Sequence, residues 1–364
     1  MINIAAPVID SEERRAVDEV IESGMLAQGP KVAELEKNWA EYCGVKHALA
    51  VNSGTAAIHC ALYAAGVKEG DEVITTPYSF IATINPILML GARPVLVDID
   101  EETFNIDVSK IEAAITEKTK AIVPVDLYGQ PCDWAELQEI AKKHDLKIIE
   151  DACQAIGAEY KGIKAGALGD FGCFSLYATK NIMCGEGGIV TTNSDEASAA
   201  IRSFRQHGMV APYEYADLGY NYRMSDLHGA IAVEQLRKVD RFTAQRQRNA
   251  SLLNEALAGV KGIELPRVAD NRSHVYHQYT ILLDEGISRD EFVAKLREKG
   301  VGAGVYYPKP LHAYPHIAKL GYEAGDFPVA EDLAARVVSL PVHPKVTDED
   351  IEIIAAAVKE SVNG

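Results

Sequence analysis

Lys147-Ile148-Ile149-Glu150-Asp151-Ala152-Cys153-Gln154, followed by Gly169-Asp170-Phe171-Gly172-Cys173-Phe174-Ser175 and then Ala178-Thr179-Lys180, decides how this chain reads. The opening residues are an apolar, β-prone run ending in an acidic pair, the pattern of a buried strand that delivers a carboxylate at its carboxyl end. A glycine-punctuated segment then leads to a serine and finally to a lysine among small residues. No other charged residue lies between Asp170 and Glu186, so Lys180 does not belong to a solvated charged face. An Asp at a strand end can hold a ring nitrogen protonated, and a Lys downstream can form an imine.

Working outward, short β-rich apolar runs at 48–51, 72–76, 94–97, 121–125, 147–150 and 189–192 alternate with helical patterns such as 55–65, 80–90 and 134–143. That alternation predicts an α/β architecture, a mostly parallel sheet covered by helices with its ligand at the carboxyl ends of the strands. A charge-rich helical pattern over 225–257 predicts one long helix leaving the large domain. A strand at 279–283 and helices at 289–299, 329–338 and 348–362 predict a smaller α+β domain. The division expected is residues 1–240 for an N-terminal arm and large domain, and 241–364 for the small one.

The bulk properties set bounds. The chain has 364 residues, 48% of them hydrophobic and 24% charged, as in an ordinary soluble globular protein. Its formal net charge of −17 disfavours nucleic acid and anionic membranes, so a phosphate-bearing ligand needs a local site. The six cysteines have no C-x-x-C spacing and read as reduced thiols in a cytoplasmic protein, with neither disulfides nor a metal site. The amino terminus lacks the basic region of a signal peptide, and no apolar run approaches the ~20 residues of a membrane span.

Two further motifs surround the central one. Val51-Asn52-Ser53-Gly54-Thr55-Ala56 joins a strand to a helix. Gly54 permits a tight turn, and the exposed N–H groups at the helix start form, with the Thr55 hydroxyl, an anion site. It lacks the lysine of a Walker A loop and the three glycines of a dinucleotide fingerprint. Pro77-Tyr78-Ser79-Phe80-Ile81-Ala82-Thr83 follows another strand, and its aromatics, Phe80 first and Tyr78 second, can lie flat over a planar ring. Gln154 can hydrogen-bond a ring hydroxyl, and Ser175 offers a further phosphate donor. An anion site, a stacking aromatic, a strand-end Asp and an imine-forming Lys are the parts of a pyridoxal 5'-phosphate (PLP) site.

These motifs, with Gly185-Glu186-Gly187-Gly188 and Gly219-Tyr220-Asn221-Tyr222-Arg223-Met224, resemble the DegT/DnrJ/EryC1/StrS family of PLP-dependent nucleotide-sugar aminotransferases over essentially the whole chain. The resemblance implies PLP fold type I, similar to aspartate aminotransferase, and a homodimer with shared active sites. It implies that Lys180 forms the imine, Asp151 faces the ring nitrogen, Gln154 serves the 3-hydroxyl side and Phe80 stacks on the ring. Gly54, Thr55, Ala56 and Ser175 would hold the phosphate, with Asn221 reaching in from the neighbouring subunit. The implied substrates are L-glutamate and a nucleotide-linked keto-sugar.

Val305-Tyr306-Tyr307-Pro308-Lys309-Pro310-Leu311-His312 resembles the version carried by members that aminate C3. A UDP-linked 3-keto-N-acetylhexosamine uronate or a dTDP-linked 3-keto-deoxyhexose is therefore expected, with Arg223, Tyr306, Tyr307 and His312 as substrate residues and Lys309 as a candidate cation. The alternative is a 4-keto sugar nucleotide. One departure is Asp126, where many relatives carry His. Of the rival readings, related dehydratases lack the imine lysine, a cysteine desulfurase needs a reactive Cys loop that is not found, and a non-catalytic PLP- or sugar-binding regulator fits poorly with the acidic surface.

Overall fold

The structure is a computed structural model that describes residues 1–363. Seven strands form the large sheet: β1 His47–Val51, β2 Glu72–Thr75, β3 Arg93–Leu96, β4 Thr119–Val123, β5 Lys147–Asp151, β6 Phe171–Ser175 and β7 Gly188–Thr192. Their order is β1-β7-β6-β5-β4-β2-β3. The pairs β2/β3, β2/β4, β4/β5 and β5/β6 are parallel, and β7 alone runs antiparallel to both its neighbours. Alternate residues feed opposite faces. Ala48, Ala50, Phe174 and Ile189 pack with Trp39 and Val32 of the helix Pro30–Cys43, whereas Leu49, Val51, Cys173 and Val190 pack with the helix Gly54–Ala64. Both faces are thus covered, which is why these strands read as continuous apolar runs.

The sheet aligns the chemistry. β1, β2, β5 and β6 all point the same way, so the residues following Val51 and Thr75, together with Asp151 and Ser175, gather along one edge. Gly188 is needed where β7 passes the loop after β1: a Cβ there would lie 2.3 Å from the Ser53 carbonyl oxygen.

The smaller lobe is an antiparallel sheet of β8 Ile263–Glu264, β9 Tyr279–Leu283 and β10 Val337–Leu340. Its core joins Leu253, Tyr279, Phe292, Leu296, Val338, Ile354 and Val358. The helix Val239–Leu257 links the lobes, with Val239 and Phe242 in the large core and Leu253 and Leu257 in the small one. At the amino terminus, Ile2 bridges Val301 and packs on the small lobe.

Three sequence expectations are corrected. The pattern over 225–257 is two helices, Asp226–Leu236 and Val239–Leu257, not one. The chain turns at Lys238, where the buried Glu13 carboxylate accepts from Lys238 Nζ and Gln235 Nε2, both at 2.6 Å; a buried charge must be paired. The stretch 80–90 breaks into a 3-10 turn, Ile81–Thr83, and a short helix, Asn85–Met89, because Pro86 has no N–H to carry the helical ladder back to Ala82. The last helix turn expected at 337–338 is strand: β-branched Val337 and Val338 pair with Leu282 and Ile281.

Candidate active site

A cavity of about 900 Å³ opens at the carboxyl ends of β1, β2, β5 and β6 and is closed on its far side by Tyr306, Tyr307, Pro308 and Lys309. At its base is Asp151, the last residue of β5. Thr83 Oγ1 donates to Asp151 Oδ2 at 2.7 Å and the Cys153 N–H donates to Oδ1 at 3.2 Å. These bonds fix the plane of a carboxylate that is only 4% exposed. The broken helix at Ile81–Thr83 is what turns the Thr83 hydroxyl inward.

Lys180 lines the same cavity. Burial pushes its amine below the ordinary lysine value, with the Asp151 charge opposing the shift. The result is an amine that gives up its proton more readily than a surface lysine does. Beside it, burial pushes the Cys153 thiol well up, so it stays a neutral thiol. The residue after the lysine is anchored: Asn181 Nδ2 donates to the Val275 carbonyl at 3.1 Å, and its Oδ1 lies 3.1 Å from His277 Nδ1. Burial, then the Lys180 charge, hold His277 well below the usual histidine value, so it is neutral.

The anion site is built from the start of the helix Gly54–Ala64. Ser53 caps it by accepting from the Ala56 N–H at 3.1 Å, and Gly54 lies directly against β6. A Cβ on Gly54 would meet Ser175 Cβ at 2.9 Å and Cys153 Sγ at 3.0 Å. This close packing brings the Ser175 hydroxyl to the helix amino terminus, where backbone N–H groups favour an anion. At the opposite rim, Phe80 is 57% exposed, with its ring 6.2 Å from that of Tyr307.

The cavity thus brings together Gly54, Thr55, Phe80, Asp151, Gln154, Ser175, Lys180, Tyr306, Tyr307 and Lys309. Ala56 is buried with its N–H given to the Ser53 cap. Asn221 is exposed outside the cavity, its carbonyl accepting from Asn52 Nδ2 at 3.2 Å, and Arg223 bridges Val51. His312 is not brought to this site: it is 2% exposed, bonded to Glu331 Oε1 at 3.0 Å and packed on Phe327. Reading the sequence missed Thr83, Cys153 and His277. Thr83 and Cys153 lay inside motifs already singled out, but nothing in their spacing reports a partner as distant in sequence as Asp151 is from Thr83.

The donor set fits PLP. It offers an anion cradle of helix-start N–H groups and hydroxyls, an oriented carboxylate, an amine of lowered pKa and an exposed aromatic face around one cavity. All six cysteines are free thiols, and among the described residues the one acidic cluster close enough to hold a metal, Asp10, Glu12 and Glu13, is paired with Lys238 outside this site. No described helix is long and apolar enough to cross a membrane.

Residues 7–359 match the DegT/DnrJ/EryC1/StrS aminotransferase family. The chain is 41% identical over 365 residues to GDP-perosamine synthase of Caulobacter vibrioides, covering 99% of this chain and 98% of that protein. It is 44% identical over 354 residues to a pleiotropic regulatory protein of Geobacillus stearothermophilus, covering 96% and 94%. Among solved structures, DesV of S. venezuelae superposes with a TM-score of 0.94 at 34% identity, covering 99% of each chain.

Proposed function

The chain belongs to the DegT/DnrJ/EryC1/StrS aminotransferase family of PLP-dependent sugar aminotransferases, and from that premise we propose that it moves the amino group of L-glutamate to C3 of a nucleotide-linked 3-keto sugar. The observation that carries the reading is the pairing of a desolvated Lys180 amine with a buried, doubly hydrogen-bonded Asp151 in one cavity that also holds an anion cradle. PLP, when bound, supplies an aldehyde that condenses with amines and a protonated ring that accepts the electron pair left by a departing proton.

The residues then have separate tasks. Gly54, Thr55 and Ser175 hold the phosphate. Asp151 keeps the ring nitrogen protonated, and Thr83 keeps Asp151 in plane. The Lys180 amine would condense with the cofactor's aldehyde and, when free, would take and hold the α-proton of the donor, a task its lowered pKa suits. Phe80 covers the ring and limits water. Tyr306 and Lys309 face the sugar, and Asn221 and Arg223 serve the site of a second copy in a homodimer. The position of both residues outside their own cavity supports that reading, as do exposed Val210, Tyr213 and Tyr215 on the neighbouring hairpin and Leu218 just after it. We place the enzyme in the cytoplasm, where six unpaired cysteines are stable.

C3 is favoured by the likeness of Tyr306–His312 to C3-aminating members. Identity to a GDP-perosamine synthase makes a GDP-linked sugar the second candidate class. A panel of 3-keto and 4-keto sugars on UDP, dTDP and GDP, assayed with glutamate as donor, tests the reading. Turnover of 3-keto substrates is expected, and turnover of 4-keto substrates alone would refute the C3 assignment.

A further inference from the structure

Tyr307 belongs to the segment expected to meet the sugar, yet its hydrogen bonds tie it to the opposite wall. Four residues form a closed cycle. The Tyr128 N–H donates to Gln154 Oε1 at 2.9 Å, and Gln154 Nε2 donates to Tyr307 Oη at 3.1 Å. The Tyr307 N–H donates to Tyr78 Oη at 3.1 Å, and Tyr78 Oη lies 3.0 Å from Tyr128 Oη. Each phenol has one proton, so the Tyr78 and Tyr128 hydroxyls divide two protons between their mutual contact and the Tyr306 carbonyl, which holds the backbone just before Tyr307.

Directionality at Gln154 is fixed. A backbone N–H can only donate, so Gln154 must turn its oxygen to Tyr128 and its nitrogen to Tyr307. That nitrogen can also only donate, so Tyr307 Oη is the acceptor. The phenol proton is left over, and among the described residues none accepts it. Burial, with the nearby Asp151 charge, pushes the Tyr307 pKa up, so the proton stays on the oxygen. The side chain lines the cavity beside Phe80. Asp151 and Tyr307 are close enough to interact, and Gln154, which bonds Tyr307, follows Asp151 on the same loop.

We propose that Tyr307 is a cofactor-binding residue: its O–H, a donor of the cycle without an acceptor among the described residues, serves the ring oxygen of PLP, beside the second N–H of Gln154, and not the sugar. The proposal rests on the PLP reading above. It also gives the cycle a purpose. Tyr307 comes from the segment that closes the cavity, whereas Tyr78, Tyr128 and Gln154 come from the large lobe, so cofactor binding and closure of the sugar side share one hydrogen-bonded unit.

The test compares wild type with Tyr307→Phe, as apoproteins, by fluorescence titration with PLP and with 3-deoxypyridoxal phosphate, which lacks the ring oxygen. Wild type should prefer PLP by about tenfold or more, the worth of a hydrogen bond to a charged oxygen, and Tyr307→Phe should lose most of that preference. The inference is overturned if Tyr307→Phe keeps the full preference and only KM for the sugar rises. It is equally overturned if wild type does not discriminate, a measurement that stands even should the variant fail to fold. Wild type that takes up no PLP would sink the functional reading itself. Wild type that binds PLP and transaminates, with Tyr307→Phe indistinguishable from it in both titrations, would sink this inference alone.

Discussion

Gly54→Ala puts the packing of the anion cradle to a quantitative test, because two effects of known sign oppose each other there. Gly54 opens a helix, and alanine is favoured over glycine in helices by up to about 1 kcal/mol. Against that, the new Cβ would meet Ser175 Cβ at 2.9 Å, Cys153 Sγ at 3.0 Å and Ser175 Oγ at 3.3 Å. Ser175 Cβ is fixed to the backbone of β6 and cannot rotate away, so helix and strand must separate by several tenths of an ångström. Overpacking of this kind costs about 1–3 kcal/mol. Sterics should therefore win, with the apoprotein destabilised by roughly 0–2 kcal/mol. Separation also draws the Ser175 hydroxyl from the helix amino terminus. Loss of one charge-assisted hydrogen bond should then weaken PLP binding by about tenfold or more. Urea unfolding of the apoprotein and fluorescence titration with PLP measure the two effects, and Gly54→Ala with Ser175→Gly should recover stability while affinity stays low. If Gly54→Ala alone is as stable as wild type and binds PLP equally well, the close approach of helix and strand is not what shapes the site.

Thr83→Val keeps the side-chain shape but removes the 2.7 Å bond to Asp151 Oδ2, so the apoprotein should lose about 1.5–3 kcal/mol by denaturant unfolding, with Thr83→Ser near wild type. Labelling of the Lys180 amine in the apoprotein should rise with pH around a midpoint below that of a surface lysine, and Asp151→Asn should move it lower still by removing the charge that opposes the shift. Asp126 and Glu150 form a fully buried carboxyl pair in which burial pushes Asp126 up to about 6 and Glu150 well above its usual range. The folded state then holds protons that the unfolded state has released, so this pair makes stability fall as pH rises from the ordinary carboxylate range through about 6. Asp126→Asn can still accept from the Cys132 N–H and the Trp134 ring while donating to Glu150, so it should flatten that fall and raise the melting temperature at pH 8. An unchanged pH profile would contradict the raised carboxyl pair.

The parallel sheet was legible because its strands are buried on both faces and carry unbroken apolar runs, and the site was legible where chemistry sits directly at a strand end, as at Asp151 and Ser175. What escaped was set by long-range partners. The turn at Lys238 depends on Glu13, more than two hundred residues earlier, and local helix propensity carries no trace of it. The break before Asn85 had a visible cause in Pro86, but not its consequence, a Thr83 hydroxyl aimed at Asp151. His312 fitted a family pattern by position, yet its ring is buried between Glu331, which bonds Nε2, and Phe327. Asp126 stood out in the sequence as a departure, and only the fold shows that it faces another acid.

In the proposed function, Lys180 and Asp151 run an amino transfer on PLP. Its most direct measurement is a single half-reaction: PLP-loaded protein is mixed with L-glutamate without any sugar, and 2-oxoglutarate is quantified together with the loss of the visible cofactor band. About one 2-oxoglutarate per subunit is predicted for wild type, and none for Lys180→Ala, which lacks the imine-forming, proton-moving amine. Wild type that releases no 2-oxoglutarate, or Lys180→Ala that releases as much as wild type, would contradict the account.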